Sequence, residues 1–360
     1  MMNYILQLLV SVMVHLPMTE KERNTGPIAI PVMKSDSAAD VQSALKVLLT
    51  SNTATKTELG FSQKGRAIEA WYFPGTSNKK ALVIGGVHGS ELSSIEVAHD
   101  LIKRLQHQQP YYSVIVIPCL FPDNAEAARA DRAGVGSAHN TGRYTHHDAV
   151  DPNRQMPSLG KPFDATIPVD HFGRIIEPEN QLLLDVINQF RPDRIANIHA
   201  IRDVAHAGIY ADPRTDSKGI ALGFASDSGL AISMAAHVAA KGGYVPGNMV
   251  DKHPTALYYK DPTPAIAGTF QKRNTSGSQL PLHRGQGVSL GSWASTAIEN
   301  GDEFKGNRPA MRIVTIEFPG YKAPAHYTDD KQRQFCLRQV RLYAESILNI
   351  FLGEHYVENL

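Results

Sequence analysis

The chain has 360 residues, 42% of them hydrophobic and 20% charged, with 36 basic against 35 acidic side chains and a net charge of +1. That length and apolar content suit one large globular domain, and the balanced charge leaves no electrostatic footprint for nucleic acid or anionic lipid. Its two cysteines, Cys119 and Cys336, are too few and too far apart for a disulfide framework or a thiolate site. Both read as core residues, so any metal must rely on histidine and carboxylate.

The N-terminus, MMNYILQLLVSVMVHLPM, is apolar but too short to span a bilayer, and it lacks both a leading Lys or Arg and a small-x-small cleavage site. The charged TEKERNTG that follows reads as a solvated linker. Residues 1–40 are therefore expected to be a poorly structured start and linker, with a single domain over 41–355. No membrane partner is evident, and the missing signal features favour the cytoplasm over the periplasm.

Next, SAADVQSALKVLLTS carries apolar residues at helical spacing. AIEAWYF and KALVIGGV read as strands, with GRA and PGTSNKK as turns. In LSSIEVAHDLIKRLQ, Ile95, Ala98, Leu101, Ile102 and Leu105 form one helical stripe. The alternation continues: strand YYSVIVIPCLF, helix EPENQLLLDVINQF, strand DRIANIHA, helix AISMAAHVAAKGGY, strand MRIVTIEFPG. Strands interleaved with helices predict an α/β sheet covered on both faces, with ligands at the carboxyl ends of its strands. The stretches from about Pro122 to Pro178 and Gly243 to Gly287 are too long for plain connections and read as binding loops.

Three polar groups end apolar strands: His88 with Glu91 in GGVHGSE, His199 in NIHAI, and Glu317 in VTIEFPG. Two histidines and a carboxylate suit a hydrolytic zinc site with an open position, and a further carboxylate is needed as base. Each signal has a bland counterpart. His88 could cap the following helix while Glu91 complements its positive end. A lone histidine at a strand end is usually a hydrogen-bonded structural residue. A carboxylate ending so apolar a strand as Glu317 does is costly without solvent or a task. In DAVDPNRQMP, Asn153 and Arg154 pair an amide with a guanidinium, matched to a carboxylate, or else they belong to a surface turn.

In this order, LGFSQKGRAIEAW, ALVIGGVHGSE, PDN, VDPNR, EPEN, IANIHAI and VTIEFPG resemble the zinc metallocarboxypeptidases of the carboxypeptidase A type, in the bacterial branch that includes murein peptide amidases. The resemblance runs from about residue 45 to 350. It implies a mixed, mainly parallel eight-stranded sheet with helices on both faces, and one Zn2+ per chain held by His88, Glu91 and His199. It also implies that Glu317 is the general base, that Asn153 and Arg154 bind the substrate's terminal carboxylate, and that an arginine polarises the scissile carbonyl. Spacing in related bacterial sequences points to Arg143 for that last role, with Arg132 and Arg129 as rivals. Ser90 stands where digestive carboxypeptidases carry an arginine, and the loop tyrosine of those enzymes has no aligned counterpart. Tyr258, Tyr259, His283 and Arg284 are the candidates for its place, while the His146-His147 doublet reads as solvated.

The leading expectation is thus a zinc carboxypeptidase or peptide amidase whose substrate ends in a free carboxylate, including peptidoglycan-derived peptides. An N-acyl amino acid deacylase of the aspartoacylase and succinylglutamate desuccinylase type is the alternative. It shares the H-G-x-E stretch, but usually has aspartate where Asn197 precedes His199. A non-catalytic metal-binding protein is the third reading, disfavoured by the complete set of ligands and base. The released side chain would sit against SLGSWAS, where Gly291 and Ser292 carry no counter-charge.

Overall fold

The computed structural model describes residues 32–33, 41–137, 139–145, 150–222, 224–250, 253–254, 285–299 and 307–354. His146, His147, Tyr258, Tyr259, His283 and Arg284 lie outside the described residues.

An eight-stranded sheet runs in the order β1-β2-β3-β5-β4-β6-β10-β7. Its strands are β1 (Val32–Met33), β2 (Thr55–Phe61), β3 (Ala67–Phe73), β4 (Lys80–Ile84), β5 (Ser113–Ile117), β6 (Arg194–Ile201), β7 (Gly208–Asp212) and β10 (Arg312–Pro319). A separate short ladder pairs β8 (Met249–Val250) with β9 (His253–Pro254). The central strands β5, β4, β6 and β10 are mutually parallel, while β3 and β7 join antiparallel at their flanks. This is the expected mixed, mainly parallel sheet. β1, from within the N-terminal stretch set apart above, pairs parallel with β2 at the sheet's edge.

The helices are α1 (Val41–Thr50), α2 (Leu92–Leu105), α3 (Pro122–Ala130), α4 (Pro178–Phe190), α5 (Phe224–Ala240), α6 (Leu290–Ala294) and α7 (Asp330–Ser346). Alternation along the strands divides the core. Ala196, Ile198, Val314, Ile316 and Phe318 pack on one face with side chains of α2, α5 and α7. Ile195 and Ile313 pack on the other with those of α1, α4 and α6. By period two, His199 and Glu317 fall on the second face, at the carboxyl ends of their strands.

Two readings need correction. The stretch after Pro122 opens with helix α3, whose N-terminal proline fits a first turn, before turning irregular. Cys336 is buried in α7, but Cys119, in the turn after β5, is only partly buried. Both thiols are free.

Candidate metal centre

The loop between β4 and α2 carries the first two expected ligands. Gly86 adopts φ +63°, in the left-handed region that suits glycine. At Gly89 a Cβ would lie 2.2 Å from the backbone nitrogen of Ala125, so only glycine lets this loop rest on α3. The chain then turns into α2 with Glu91 at the N-cap position, where its side chain makes no capping bond. His88 does not cap α2 either, since its ring nitrogens lie against Glu91 and Asp151, while Glu91 does sit at the helix's positive end.

Instead the Glu91 carboxylate is buried and points across the sheet. His88 Nδ1 lies 2.8 Å from its Oε1, and His199 Nδ1 lies 3.0 Å from its Oε2. The Ala200 backbone N–H also donates to Oε2, at 2.9 Å. Potential ligand atoms of His88, Glu91 and His199 all fall within 4.8 Å of one another, and all three residues are buried. The imidazole centroids are 5.0 Å apart.

The far nitrogens of both rings are also held. His88 Nε2 lies 2.7 Å from Asp151 Oδ1, and Asn153 Nδ2 lies 3.3 Å from His199 Nε2. Asp151 sits in VDPNR two residues before Asn153, in the stretch whose alternative reading was a surface turn. A carboxylate on the outer nitrogen of a candidate ligand histidine fixes its orientation and raises its basicity. The donor chemistry therefore fits a divalent metal of the zinc class: two imidazole nitrogens, one carboxylate and an ordered outer shell.

Charge shapes the cluster. Burial alone would lower His88, but the Glu91 and Asp151 carboxylates outweigh it and raise the imidazole to about 9. Burial would raise Glu91, yet the two histidines hold it well below the usual carboxylate range. His199 is lowered by burial. Arg143 donates to Glu91 Oε1 at 3.0 Å and to Asp151 Oδ2 at 3.4 Å, with its side chain about a third exposed. Of the rivals, Arg129 lies on α3 against Glu126, and Arg132 lies in the turn after α3. Neither of them contacts the cluster.

Glu317 is in parallel register with His199, which sets the two side chains beside each other on one face. Burial, and then the Glu91 charge, push its carboxyl upward. Its carboxylate has no hydrogen-bond partner among the described residues. Asn153 is fixed by the Leu290 N–H, which donates to its Oδ1 at 3.1 Å. The Arg154 guanidinium donates only to the Asn153 carbonyl, at 2.7 Å, and pairs with no carboxylate among the described residues. All seven expected residues are thus gathered at the carboxyl end of β4, β6 and β10.

Asp212, at the end of β7, was not foreseen. Its carboxylate lies so close to Gly291 that a Cβ there would stand 2.6 Å from Oδ1. Thr315 Oγ1 donates to Oδ2 at 2.8 Å, burial pushes the carboxyl up to about 6, and the Arg154 charge partly offsets that rise. A carboxylate thus packs directly against Gly291. The available signal was a carboxylate ending an apolar strand, GIYAD, the same feature that singled out Glu317.

No family profile matches the chain, and no curated protein matches it. Solved structures do. The chain is similar to a metallo-carboxypeptidase from Burkholderia cenocepacia, at 17% identity over 85% of this chain and 67% of that one, with a TM-score of 0.44. It is similar to murein-tripeptide amidase MpaA from Escherichia coli O157, at 18% identity over 79% and 91% of the two chains, with a TM-score of 0.37. A metallo-carboxypeptidase from Pseudomonas aeruginosa, in complex with (2-guanidinoethylmercapto)succinic acid, matches at 16% identity over 85% and 67%, with a TM-score of 0.38.

Proposed function

We propose that this chain is a zinc-dependent carboxypeptidase or peptide amidase that hydrolyses an amide bond next to a free terminal carboxylate. The observation that carries this reading is the convergence of His88, Glu91 and His199 with an unpartnered carboxylate, Glu317, in register beside them. A bound zinc ion would supply a Lewis acid and lower the pKa of water at its open position.

The remaining roles fall to the chain's own groups. Glu317 accepts the proton of the attacking water on its carboxylate and returns it to the leaving amine nitrogen. Its partly buried setting, with a raised pKa, suits a group that must both take and release a proton. Arg143 donates to the carbonyl oxygen as negative charge develops there. Arg154, with no carboxylate of its own among the described residues, holds the substrate's terminal carboxylate beside Asn153. Asp212, packed against Gly291, puts a carboxylate beside the place of the released side chain, which favours a substrate residue bearing an amino or guanidinium group. Peptidoglycan-derived peptides with a free amino group belong to that class.

Metal analysis of protein purified without chelator is expected to give about one zinc per chain. Metal should be lost in His88→Ala and kept in Glu317→Gln, with turnover in the latter reduced by roughly 10²–10⁴-fold. A panel of short peptides and N-acyl amino acids separates peptidase from deacylase. Failure to take up zinc on reconstitution would end this reading.

A further inference from the structure

On the face of the sheet that holds the metal centre, β6 and β10 carry a second polar row below His199 and Glu317. Asn197 and Thr315 are in parallel register, as His199 and Glu317 are. Two residues back along a strand is the same face, roughly 7 Å lower at about 3.3 Å per residue. Thr315 and Glu317 are both only partly buried, whereas Ile313, the next residue of β10 on that face, is fully buried. Solvent therefore reaches down this face as far as Thr315 and stops there.

Asn197 belongs to that floor and is not satisfied by it. The residue is 1% exposed, and its Oδ1 is buried with no hydrogen-bond partner. Its register neighbour on β4 is Ile84, which has no donor to offer. Thr315, its neighbour on β10, gives its hydroxyl proton to Asp212 Oδ2 at 2.8 Å instead. A buried carbonyl oxygen without a donor costs stability, and an apolar side chain of similar volume would avoid that cost. Asn197 is also where the chain departs from the aspartate usual in the deacylases, so neither packing nor that resemblance accounts for an amide here.

The groups around it are acceptors. The Asp212 carboxylate lies against Gly291 and already holds the Thr315 hydroxyl. Arg154 is near enough for its charge to act on Asp212, but its guanidinium donates to the Asn153 carbonyl and forms no ion pair with that acid. A ligand group that satisfies both Asn197 and Asp212 must bring several N–H donors and a positive charge.

We propose that Asn197 is a specificity-determining residue: its Oδ1 accepts a hydrogen bond from the ammonium or guanidinium of the released residue, whose charge is met by Asp212. The identity of that ligand rests on the hydrolase reading above. Lysine brings three donors and arginine five, enough for two acceptors at once. A leucine side chain brings none and leaves both acceptors unpaired, which is the condition under which a polar site rejects an apolar analogue.

The zinc-loaded full chain tests this on paired peptides that end in Lys or Leu. Asn197→Leu should lower the Lys-over-Leu ratio of kcat/KM by about tenfold or more, through KM. Asn197→Ala, which adds no bulk, should lower it likewise. The melting temperature of Asn197→Leu should hold or rise, because the orphan oxygen is gone. Calorimetric titration with free lysine, arginine and norleucine gives a reading that needs no turnover. The wild type should bind the two cationic amino acids more tightly than norleucine, and both variants should lose that difference. If no peptide is hydrolysed, the hydrolase reading fails and these titrations alone decide the role of Asn197. A preference for the cationic ligand that is unchanged in both variants would overturn the proposal. So would a lowered melting temperature with equal losses for Lys and Leu, which would mark the amide as structural.

Discussion

His88 shows how one side chain is set by several others. Its ring is gripped from both sides, by Glu91 at 2.8 Å and by Asp151 at 2.7 Å. Asp151→Asn keeps the shape but removes the charge behind the imidazole. Zinc affinity is expected to fall by about 10–100-fold, measured by competition with a chromophoric chelator. Loss of that size with the fold intact on circular dichroism would mark Asp151 as an orienting group. Unchanged affinity would show the contact to be incidental. Asp212 offers the parallel test for substrate choice. In Asp212→Asn the kcat/KM for peptides ending in Lys or Arg should drop by roughly tenfold or more, through KM, while peptides ending in Leu are little affected. Equal losses for both substrates would remove Asp212 from the recognition of side chains. Asp151 lies in sequence beside a noticed pair and Asp212 beside no noticed feature, and neither shows its partner there. Asp151 meets a histidine 63 residues away, and Asp212 meets a glycine and a threonine carried on other elements.

Among the elements, the β4–α2 loop is the one on which the site depends. Its glycines matter for two different reasons: Gly86 for its positive φ, and Gly89 for the closeness of α3. A methyl group at Gly89 cannot be accommodated by side-chain rotation, because what it meets is backbone of Asn124 and Ala125. Gly89→Ala is therefore expected to cost about 1–3 kcal/mol in denaturant unfolding. It should also weaken zinc binding, since relief of the clash displaces the segment holding His88 and Glu91. An unchanged unfolding midpoint would show that α3 yields more easily than its packing implies. The spans of β3 and α4 were readable from their apolar pattern and a flanking proline. Helix α3 was not, because PDNAEAARA is nearly all polar or small and presents only Ala125 and Ala128 to a minor apolar cluster. Strands β2 and β7 were also missed as strands, since their pairing partners, rather than their own short runs, make them extended.

For the whole molecule, solvent exposure and charge decide what local pattern cannot. Glu179, in the first turn of α4, is buried with only a long contact from the Gln63 N–H at 3.4 Å, and burial raises its carboxyl to about 7. In the unfolded chain it loses its proton near pH 4.5, in the folded one nearer 7. Between those values the folded state binds more protons, so this group's contribution to stability declines as pH rises through that window and then levels off. Glu179→Gln should flatten that decline and leave the protein more stable at pH 8, by on the order of 2–3 kcal/mol, measured by urea unfolding at pH 5 and pH 8. Parallel pH profiles for the two proteins would refute the assignment. The sequence by itself determined the α/β alternation and the identity of His88, Glu91, His199 and Glu317 as strand-end polar groups, because hydrophobic period and chain breakers are local properties; the mainly parallel sheet was implied only by the family resemblance. Only the tertiary structure decided which of several arginines stands beside Glu91, which acid packs against Gly291, and that Asn197 is in register with Thr315 below the metal centre. Those are meetings of residues tens to hundreds of positions apart, and they exist only once strand order and register bring their side chains to the same end of the sheet.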